Sequence, residues 1–227
     1  MAGYVVVRDF PRPAAEVFAA LKSYPPALLS DVIKAPGAPR RVMDAAIRPL
    51  SADMVICGPA LTVEAHPADN LMMHAALSVA KPGDVLVVNG GGDLSAALIG
   101  GILATQAKAA GIAGLVIDGA IRDVAEIVEL GLAAFCRGVT PVGPTRAHPG
   151  RVGVPVVCGG VAVAPGDLVV ADRDGVLIIP AAMGAGLAEK AAAKVEQEQL
   201  RLAEISAGKL VPGWLADALA KAGVVSG

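Results

Sequence analysis

The stretch IAGLVIDGAIRD, residues 112–123, decides the fold of this chain. Its apolar half ends at Ile117 and is typical of a strand buried on both faces of a parallel sheet. The residues that follow, 124–131, have the apolar spacing of a short helix that ends at a glycine. We therefore predict a strand, a turn that carries Arg122 and Asp123, and a helix. In open α/β sheets, ligands bind at such turns.

The charged residues of this turn indicate a particular chemistry. The guanidinium of Arg122 suits a carboxylate or a phosphate, and the carboxylate of Asp123 suits a hard divalent cation. A helix start is an unfavourable place for a cation, which favours a functional role for Arg122. Asp118 adds a second carboxylate to the turn. Asp123 and Glu126 also have the spacing of a capping box, so a purely structural role for Asp123 stays open.

A second anion-binding element is predicted upstream of this turn. Gly100 and Gly101 interrupt an alanine-rich helical segment that ends at Ala110. Because glycine inside a helix costs roughly 1 kcal/mol relative to alanine, a helix that begins at about Gly101 explains the pair better. The N–H groups of Ile102 and Leu103 would then be free to bind an anion. Close packing between helices explains the two glycines equally well.

The remainder of the chain predicts an α/β fold with a βαβ core. A helix over residues 70–80 and a buried strand over 84–88 precede the decisive stretch. Beyond Arg137, short strands joined by Gly/Asp turns predict a β-rich edge. Residues 181–207 predict a long C-terminal helix. We expect a single domain over residues 1–227, since this length is within the range of one domain.

The composition argues against several classes of function. A net charge of −2 without a basic run argues against direct nucleic-acid binding. A hydrophobic fraction of 55% with only 18% charged residues suggests that apolar surface is buried between subunits. The three cysteines are widely spaced and predict buried thiols rather than a disulfide framework or a zinc site. No segment resembles a signal peptide or a bilayer-spanning helix, so we expect a cytoplasmic protein without membrane contact.

Several short motifs follow one another in a characteristic order. They are GDVLVV (83–88), a glycine loop that ends at Asp93, AAGIAG (109–114), DGAIRD (118–123), RGVTP (137–141), GD (166–167) and ADRDGV (171–176). Over roughly residues 28–204 the chain resembles the family of 4-hydroxy-4-methyl-2-oxoglutarate/4-carboxy-4-hydroxy-2-oxoadipate aldolases and the regulator of ribonuclease E activity A. The resemblance implies a compact fold of the swivelling-domain type that assembles as a homotrimer or a hexamer.

The resemblance also implies roles for individual residues at a site between subunits. Arg122 would bind the pyruvyl moiety of a keto-acid substrate, and Asp123 would ligate Mg²⁺ or Mn²⁺. The amides of Ile102 and Leu103 would hold the substrate carboxylate. Glu198, on the predicted C-terminal helix, is the best match to a glutamate that reaches in from the neighbouring subunit and holds metal-bound water.

The implied activity is that of a metal-dependent lyase that cleaves 4-hydroxy-2-oxo acids and releases pyruvate. The chain departs from the aldolases at Gly101, where they commonly have an acid, and Asp93 is an upstream candidate to replace it. Oxaloacetate decarboxylation needs the same enolate but no base, so we expect it to tolerate the missing acid better. A non-catalytic, protein-binding regulator of ribonuclease E activity is the alternative. No glycine-rich fingerprint supports methyl transfer to a quinone.

Overall fold

The computed structural model describes residues 4–224. Its strands are β1 (Val5–Val6), β2 (Arg48–Pro49), β3 (Ile56–Glu64), β4 (Val85–Asn89), β5 (Ala97–Ile99), β6 (Gly114–Ile121), β7 (Ala134–Val139), β8 (Arg151–Val152), β9 (Val156–Cys158), β10 (Val161–Val163), β11 (Leu168–Asp172) and β12 (Gly175–Ile179). Its helices are α1 (Ala15–Leu21), α2 (Pro26–Ile33), α3 (Leu71–Leu77), α4 (Gly101–Ala109), α5 (Val124–Leu130), α6 (Leu187–Ser206) and α7 (Leu215–Lys221).

Parallel strands form the centre of the main sheet, in the order β3-β4-β6-β7. The connections between them contain α3, then β5 with α4, then α5, so the centre is a series of βαβ units. The decisive strand β6 is buried along its whole length, which explains why its sequence shows no polar alternation. The predicted α/β fold with a βαβ core is confirmed.

The two faces of this sheet pack against different partners. Alternate residues of β4 divide between them: Leu86 and Val88 face the layer of α3, α4 and α5. Val85 and Val87 face the opposite core, which includes Phe135 and the β9–β10 hairpin. This alternation is the two-residue period of a strand, with both faces apolar. The helical layer therefore lies on the face where β6 leads into α5.

A β-rich edge adjoins the parallel strands, as predicted. Strand β11 pairs antiparallel with β12 and with the first half of β3. The second half of β3 pairs instead with β4, and Pro59 lies where the partner changes. Beyond β11 and β12, a third apolar cluster joins these strands to α1, α2 and the first half of α6.

The structure corrects two predicted boundaries. The strand expected to end at Ile117 continues to Ile121, so Asp118 lies within β6. The long C-terminal helix begins at Leu187 rather than near residue 181. A short 3₁₀ turn precedes it, and Gly186, with a φ of 69°, separates the two. Left-handed backbone of this kind cannot continue a right-handed helix.

The three cysteines lie within or against the apolar core. Cys136 and Cys158 are buried and Cys57 is half-buried, and all three are free thiols. Burial raises the pKa of the Cys57 and Cys136 thiols to about 11, as apolar surroundings disfavour the thiolate. Between residues 4 and 224, no helix has both the length and the apolar character needed to cross a bilayer.

A buried ion pair fixes the N-terminal segment to the centre of the sheet. Asp84, immediately before β4, is fully buried. Its two oxygens accept hydrogen bonds from Arg12 Nε at 2.7 Å and Arg12 Nη2 at 2.8 Å. The N–H of Lys81 donates a third, at 2.9 Å. This bidentate geometry is the strong form of an arginine–carboxylate pair.

Replacement of Asp84 by alanine would leave the Arg12 guanidinium without its partner. We expect Asp84→Ala to lower the free energy of unfolding by about 3–5 kcal/mol, measured by urea denaturation. Asp9→Ala is the control, because Asp9 forms an exposed pair with Lys81 and exposed pairs contribute little. Equal losses in the two variants would contradict the anchoring role of Asp84.

Candidate functional site

Arg122 and Asp123 leave the carboxyl end of β6, as the sequence predicts. The backbone N–H of Arg122 donates to the carbonyl of Ile99 at 2.9 Å, which joins this turn to the end of β5. Asp123 has a φ of 59° and a ψ of 42°. Few residues other than glycine adopt this left-handed conformation, and aspartate is among those that tolerate it best. The conformation turns the chain sharply from β6 into α5.

The Asp123 side chain caps a different helix from the one that it precedes. Its Oδ2 accepts a hydrogen bond from the N–H of Gly101 at 2.9 Å, at the start of α4. It makes no side-chain cap to its own helix α5. An N-cap residue normally has extended backbone, and the left-handed backbone of Asp123 does not provide that geometry. The capping-box interpretation of Asp123 and Glu126 is therefore wrong.

Helix α4 begins at Gly101, where the glycine pair predicted it. Gly100 is extended, and its carbonyl accepts the N–H of Ala104 at 3.0 Å. Within residues 4–224 the N–H groups of Ile102 and Leu103 have no hydrogen-bond acceptor. Unpaired N–H groups at a helix start, together with the helix dipole, bind anions. The predicted helix start with free N–H groups is therefore present beside Arg122, and anion binding there stays a prediction.

The Arg122 side chain passes between two glycines. A Cβ on Gly100 would lie 2.9 Å from Arg122 Nε, and a Cβ on Gly143 would lie 2.9 Å from Nη1. Both separations are too short for real contacts, so a side chain at either position would displace the guanidinium. Gly100 therefore makes room for Arg122 rather than for a neighbouring helix. Arg122 Nε is buried without a hydrogen-bond partner, and Asp123 Oδ2 lies 3.6 Å from it.

Glu126 also lies at the candidate site, although its sequence context did not indicate this. Its carboxylate lies over Gly101, because a Cβ built on Gly101 would overlap Glu126 Oε2. A carboxylate from α5 thus occupies the space that an acidic side chain at position 101 would enter. Asp93 does not fill this place, since its carboxylate accepts a hydrogen bond from Ser95 Oγ at 2.6 Å. The sequence feature that could have indicated Glu126 is its three-residue spacing from Asp123. That spacing was interpreted as a capping box.

Asp118 does not belong to the site, contrary to the prediction that placed it at the turn. Its Oδ1 accepts a hydrogen bond from Arg137 Nε at 2.6 Å, and its Oδ2 accepts the N–H of Gly159 at 2.8 Å. Arg137 also contacts Asp44 at 3.1 Å. These contacts join β6 to β7 and to the loop before β10. Asp118 therefore has a structural role.

Glu198 lies far along α6, apart from the other predicted residues. Its carboxylate is 3.7 Å from Lys194 Nζ, a helical i,i+4 pair on an exposed face. The first half of α6 packs on α1 and α2. In the part of the chain that the structure describes, no hydrogen bond or ion pair joins Glu198 to Arg122 or Asp123. A single subunit therefore does not bring Glu198 to the site.

Cavities lie on both sides of the Arg122–Asp123 pair. One has a volume of about 290 Å³ and is otherwise lined by residues 124 and 139–141. The other has a volume of about 270 Å³ and contains both predicted anion-binding elements. Its lining residues are Asn70, His74, Gly100, Ile102, Leu103, Arg122, Asp123, Glu126, Pro144 and Arg146. We refer to this second space as the α3–α4 cavity.

The oxygen donors at the site suit a magnesium-type ion. Asp123 and Glu126 supply carboxylates from the first turn of α5. No cluster of three or more histidine, cysteine or acidic residues forms a complete metal cage within residues 4–224. Mg²⁺ commonly binds through one or two carboxylates and completes its shell with water and substrate oxygens. The donor set therefore fits Mg²⁺ or Mn²⁺ better than zinc, which prefers nitrogen and sulfur.

Asp69 joins the start of α3 to the loop that carries Arg146, both of which line the α3–α4 cavity. This buried carboxylate accepts hydrogen bonds from the N–H of Ala147 at 2.7 Å and the hydroxyl of Thr145 at 2.6 Å. It also accepts the N–H groups of Leu71 and His148. Burial alone would raise the pKa of Asp69, but these hydrogen bonds outweigh it and hold the pKa well below its usual value.

This lowered pKa predicts how stability changes with pH. An aspartate whose pKa is depressed in the folded state stabilises the protein above its unfolded value of about 3.9. That contribution is lost as the pH falls toward the folded value. We expect Asp69→Asn to be clearly less stable than wild type at pH 7, with the difference shrinking below about pH 4. Urea denaturation across pH measures it. The control Asp9→Asn changes an exposed carboxylate, and the same trend in that variant would exclude Asp69 as the cause.

Comparison with known sequences shows relatives over most of the chain. The RraA-like family model, described as Aldolase/RraA, matches residues 27–178. A protein of Halalkalibacterium halodurans, provisionally named 4-hydroxy-4-methyl-2-oxoglutarate aldolase, is 41% identical over 160 residues, which is 70% of this chain and 76% of that protein. A Thermus thermophilus protein named 4-hydroxy-4-methyl-2-oxoglutarate aldolase is 40% identical over 112 residues, 49% of this chain and 68% of that protein.

Solved structures share the fold. Streptomyces coelicolor RraAS2, described as an unusual member of the RNase ES inhibitor RraA protein family, aligns with a TM-score of 0.78 and 32% identity over 85% of this chain and 98% of that chain. The RNA-processing inhibitor RraA from Thermus thermophilis aligns with a TM-score of 0.60 and 34% identity over 67% of this chain and 90% of that chain. The relatives thus include proteins named as aldolases and proteins named as inhibitors.

Proposed function

The chain belongs to the RraA-like family, and from that premise we propose that it is a divalent-metal-dependent lyase. It would cleave 4-hydroxy-2-oxo acids to release pyruvate, and it would also decarboxylate oxaloacetate. The observation that carries this proposal is the Arg122 guanidinium, whose Nε has no hydrogen bond, next to the free N–H groups at the start of α4. Relatives named as aldolases support the reaction class.

Different groups of the site would bind the carboxylate and the keto oxygen of the pyruvyl unit. The N–H groups of Ile102 and Leu103 are directed from the helix start toward a substrate carboxylate. Arg122 would donate to the keto oxygen, where negative charge develops as the carbon–carbon bond breaks. A fixed donor of this kind stabilises the transition state more than the ground state. The absence of side chains at Gly100 and Gly143 leaves space for the guanidinium.

The carboxylates of Asp123 and Glu126 would provide metal binding and proton transfer. Asp123 would hold Mg²⁺ or Mn²⁺, which when bound supplies Lewis-acid stabilisation of the enolate charge. Retro-aldol cleavage also requires removal of the 4-hydroxyl proton. Within residues 4–224, Glu126 has no hydrogen-bond or ion-pair partner, so its carboxylate is free to accept that proton through water. Glu126 thereby takes over the function of the acid that Gly101 lacks.

We infer that the working form is a homotrimer or a hexamer. Ile102, beside Arg122, is 86% exposed in the single chain. The outer half of α6 and the segment beyond it expose Leu200, Leu202 and Trp214. Clustered exposed apolar residues mark contact surfaces. Glu198 lies on this same exposed part of α6. In the oligomer it would reach the candidate site of a neighbouring subunit.

The central test is pyruvate release from 4-hydroxy-4-methyl-2-oxoglutarate and from oxaloacetate with Mg²⁺ or Mn²⁺. We expect activity with both substrates and its loss on chelation of the metal. Arg122→Ala should lower kcat by about 100-fold or more, the effect of removing a transition-state donor. Arg173→Ala, on an exposed β-turn, is the control. A wild-type protein that releases no pyruvate from either substrate would refute the lyase.

A Glu126 variant should distinguish retro-aldol cleavage from oxaloacetate decarboxylation, because only cleavage is expected to need a base. Glu126→Gln should slow retro-aldol cleavage by about 100-fold, the usual contribution of a general base, and should affect oxaloacetate decarboxylation much less. The matched control is Glu129→Gln, on the same helix and exposed, which should change neither rate. If Glu126→Gln slows both reactions equally, Glu126 does not act as the base.

A second candidate function is inhibition of a ribonuclease by direct binding. It is favoured by the likeness to Streptomyces coelicolor RraAS2, which spans nearly the whole of that chain, and by the exposed apolar residues of the C-terminal segment. Ribonuclease E cleavage of RNA, measured with and without this protein, tests it. Inhibition that persists in Arg122→Ala would show a function independent of the lyase site.

A further inference from the structure

We propose that Asp69 is a positioning residue of the candidate site, which holds the Arg122 guanidinium through a short strap of chain. The strap is residues 142–145, between β7 and β8. Within residues 4–224, Asp69 has no hydrogen bond or ion pair with Arg122 itself, so its effect would pass through the strap. The inference rests on the proposed function, because Arg122 is taken there as the group that stabilises the enolate.

The strap contacts the guanidinium at Gly143. A Cβ built on Gly143 would lie 2.9 Å from Arg122 Nη1 and 3.7 Å from Arg122 Cζ, and beyond the adjacent residues it would meet no other atom within 4 Å. A Cβ on Gly100, by comparison, would also lie 2.5 Å from Asp123 Oδ2. The missing side chain at Gly143 therefore serves the guanidinium alone, and the position of the strap limits where the guanidinium can lie.

Both ends of the strap are bonded to the body of the domain. At one end the carbonyl of Val142 accepts the N–H of Ala97, the first residue of β5, at 2.9 Å. At the other end the N–H of Thr145 donates to the carbonyl of Ala68 at 2.8 Å. Gly143 lies between these two bonds. It therefore has little freedom to move away from the arginine.

Asp69 fixes the second end of the strap with its side chain. Its Oδ2 accepts hydrogen bonds from the Thr145 hydroxyl at 2.6 Å, from the N–H of Ala147 at 2.7 Å and from the N–H of His148 at 3.1 Å. Its Oδ1 accepts the N–H of Leu71, at the start of α3, at 3.0 Å. The residue is 1% exposed. One buried carboxylate thus joins the strap to α3 where solvent does not compete for its hydrogen bonds.

The turn before Asp69 has a strained backbone. The N–H of Asp69 donates to the carbonyl of His66 at 3.2 Å, which closes a turn with Pro67 second and Ala68 third. Ala68 has a φ of 57°, a conformation that such turns normally assign to glycine. Between residues 4 and 224, Asp123 is the other non-glycine residue with a positive φ. Strain of this kind persists where surrounding contacts hold it, and it concentrates at functional sites.

The kinetic test measures kcat for pyruvate release from 4-hydroxy-4-methyl-2-oxoglutarate with Mg²⁺. Gly143→Ala and Asp69→Asn should each lower kcat by roughly 10- to 100-fold, because a small misplacement of a catalytic group has an effect of this size. In the Arg122→Ala background neither change should lower kcat further, since the guanidinium that they misplace is absent. Equal losses in the two backgrounds, or an unchanged kcat in both variants, would overturn the positioning role.

Matched control variants come from the same chain. Gly213→Ala adds a methyl group where a Cβ would meet nothing within 4 Å, and it should leave kcat unchanged. Asp167→Asn alters another buried aspartate, which accepts two backbone N–H groups on the β-rich edge. It should lower stability without lowering kcat. If Asp69→Asn does not fold, Thr145→Val takes its place, because it removes the hydroxyl donor to Asp69 and should lower kcat only where Arg122 is present.

The Arg122 Nε–H gives a readout that does not depend on turnover. Arg122 Nε is buried, so we expect its proton to exchange slowly with solvent in wild type. Its signal in ¹H–¹⁵N spectra is identified by its absence in Arg122→Ala. Exchange should be about 10-fold faster or more in Gly143→Ala and in Asp69→Asn, and unchanged in Gly213→Ala.

The two readouts separate failure of the strap from failure of the lyase. Unchanged exchange in both Gly143→Ala and Asp69→Asn would overturn the positioning role, whether or not the protein releases pyruvate. Faster exchange in a protein that releases no pyruvate would overturn the lyase and support the hold of the strap on Arg122.

Discussion

The hydrogen bond from the Gly101 N–H to Asp123 Oδ2 holds the starts of α4 and α5 together, and the candidate site depends on it. It fixes the free N–H groups of Ile102 and Leu103 next to Arg122. It requires Asp123 to have a left-handed backbone, so that the side chain points to a neighbouring helix. It also brings the two chain segments so close that Gly100 has no space for a side chain. The residue types around the site follow from this one contact.

The parallel sheet explains why these distant segments meet. Strands β5 and β6 run side by side, and the carbonyl of Ile99 accepts the N–H of Arg122. Helix α4 therefore begins where β6 ends. Asp118, within β6, is bonded to Arg137 and Gly159 instead of a ligand. The residues of the motif DGAIRD therefore have two roles. Asp118 fixes the strand, and Arg122 and Asp123 form the candidate site.

Much of this arrangement was predictable from local sequence. Apolar runs without polar alternation identify β4 and β6 as buried strands, and the glycine pair marks where α4 begins. The functions of Asp123 and Glu126 were not predictable in this way. Asp123 caps a helix 22 positions earlier in the chain, and Glu126 lies over Gly101 only because α4 and α5 converge. Spacing within one helix indicated a capping box, whereas the backbone at Asp123 excludes it.

Gly101 and Glu126 constrain each other. Any side chain at position 101 would begin in the space that the Glu126 carboxylate occupies, so Glu126 would have to move aside for an acid there. Glu126 therefore places a carboxylate over position 101. A carboxylate from α5 lies one helical turn from Asp123 and moves with it, because both belong to the same rigid element. The left-handed turn at Asp123 then positions the carboxylates and Arg122 as one unit against the start of α4.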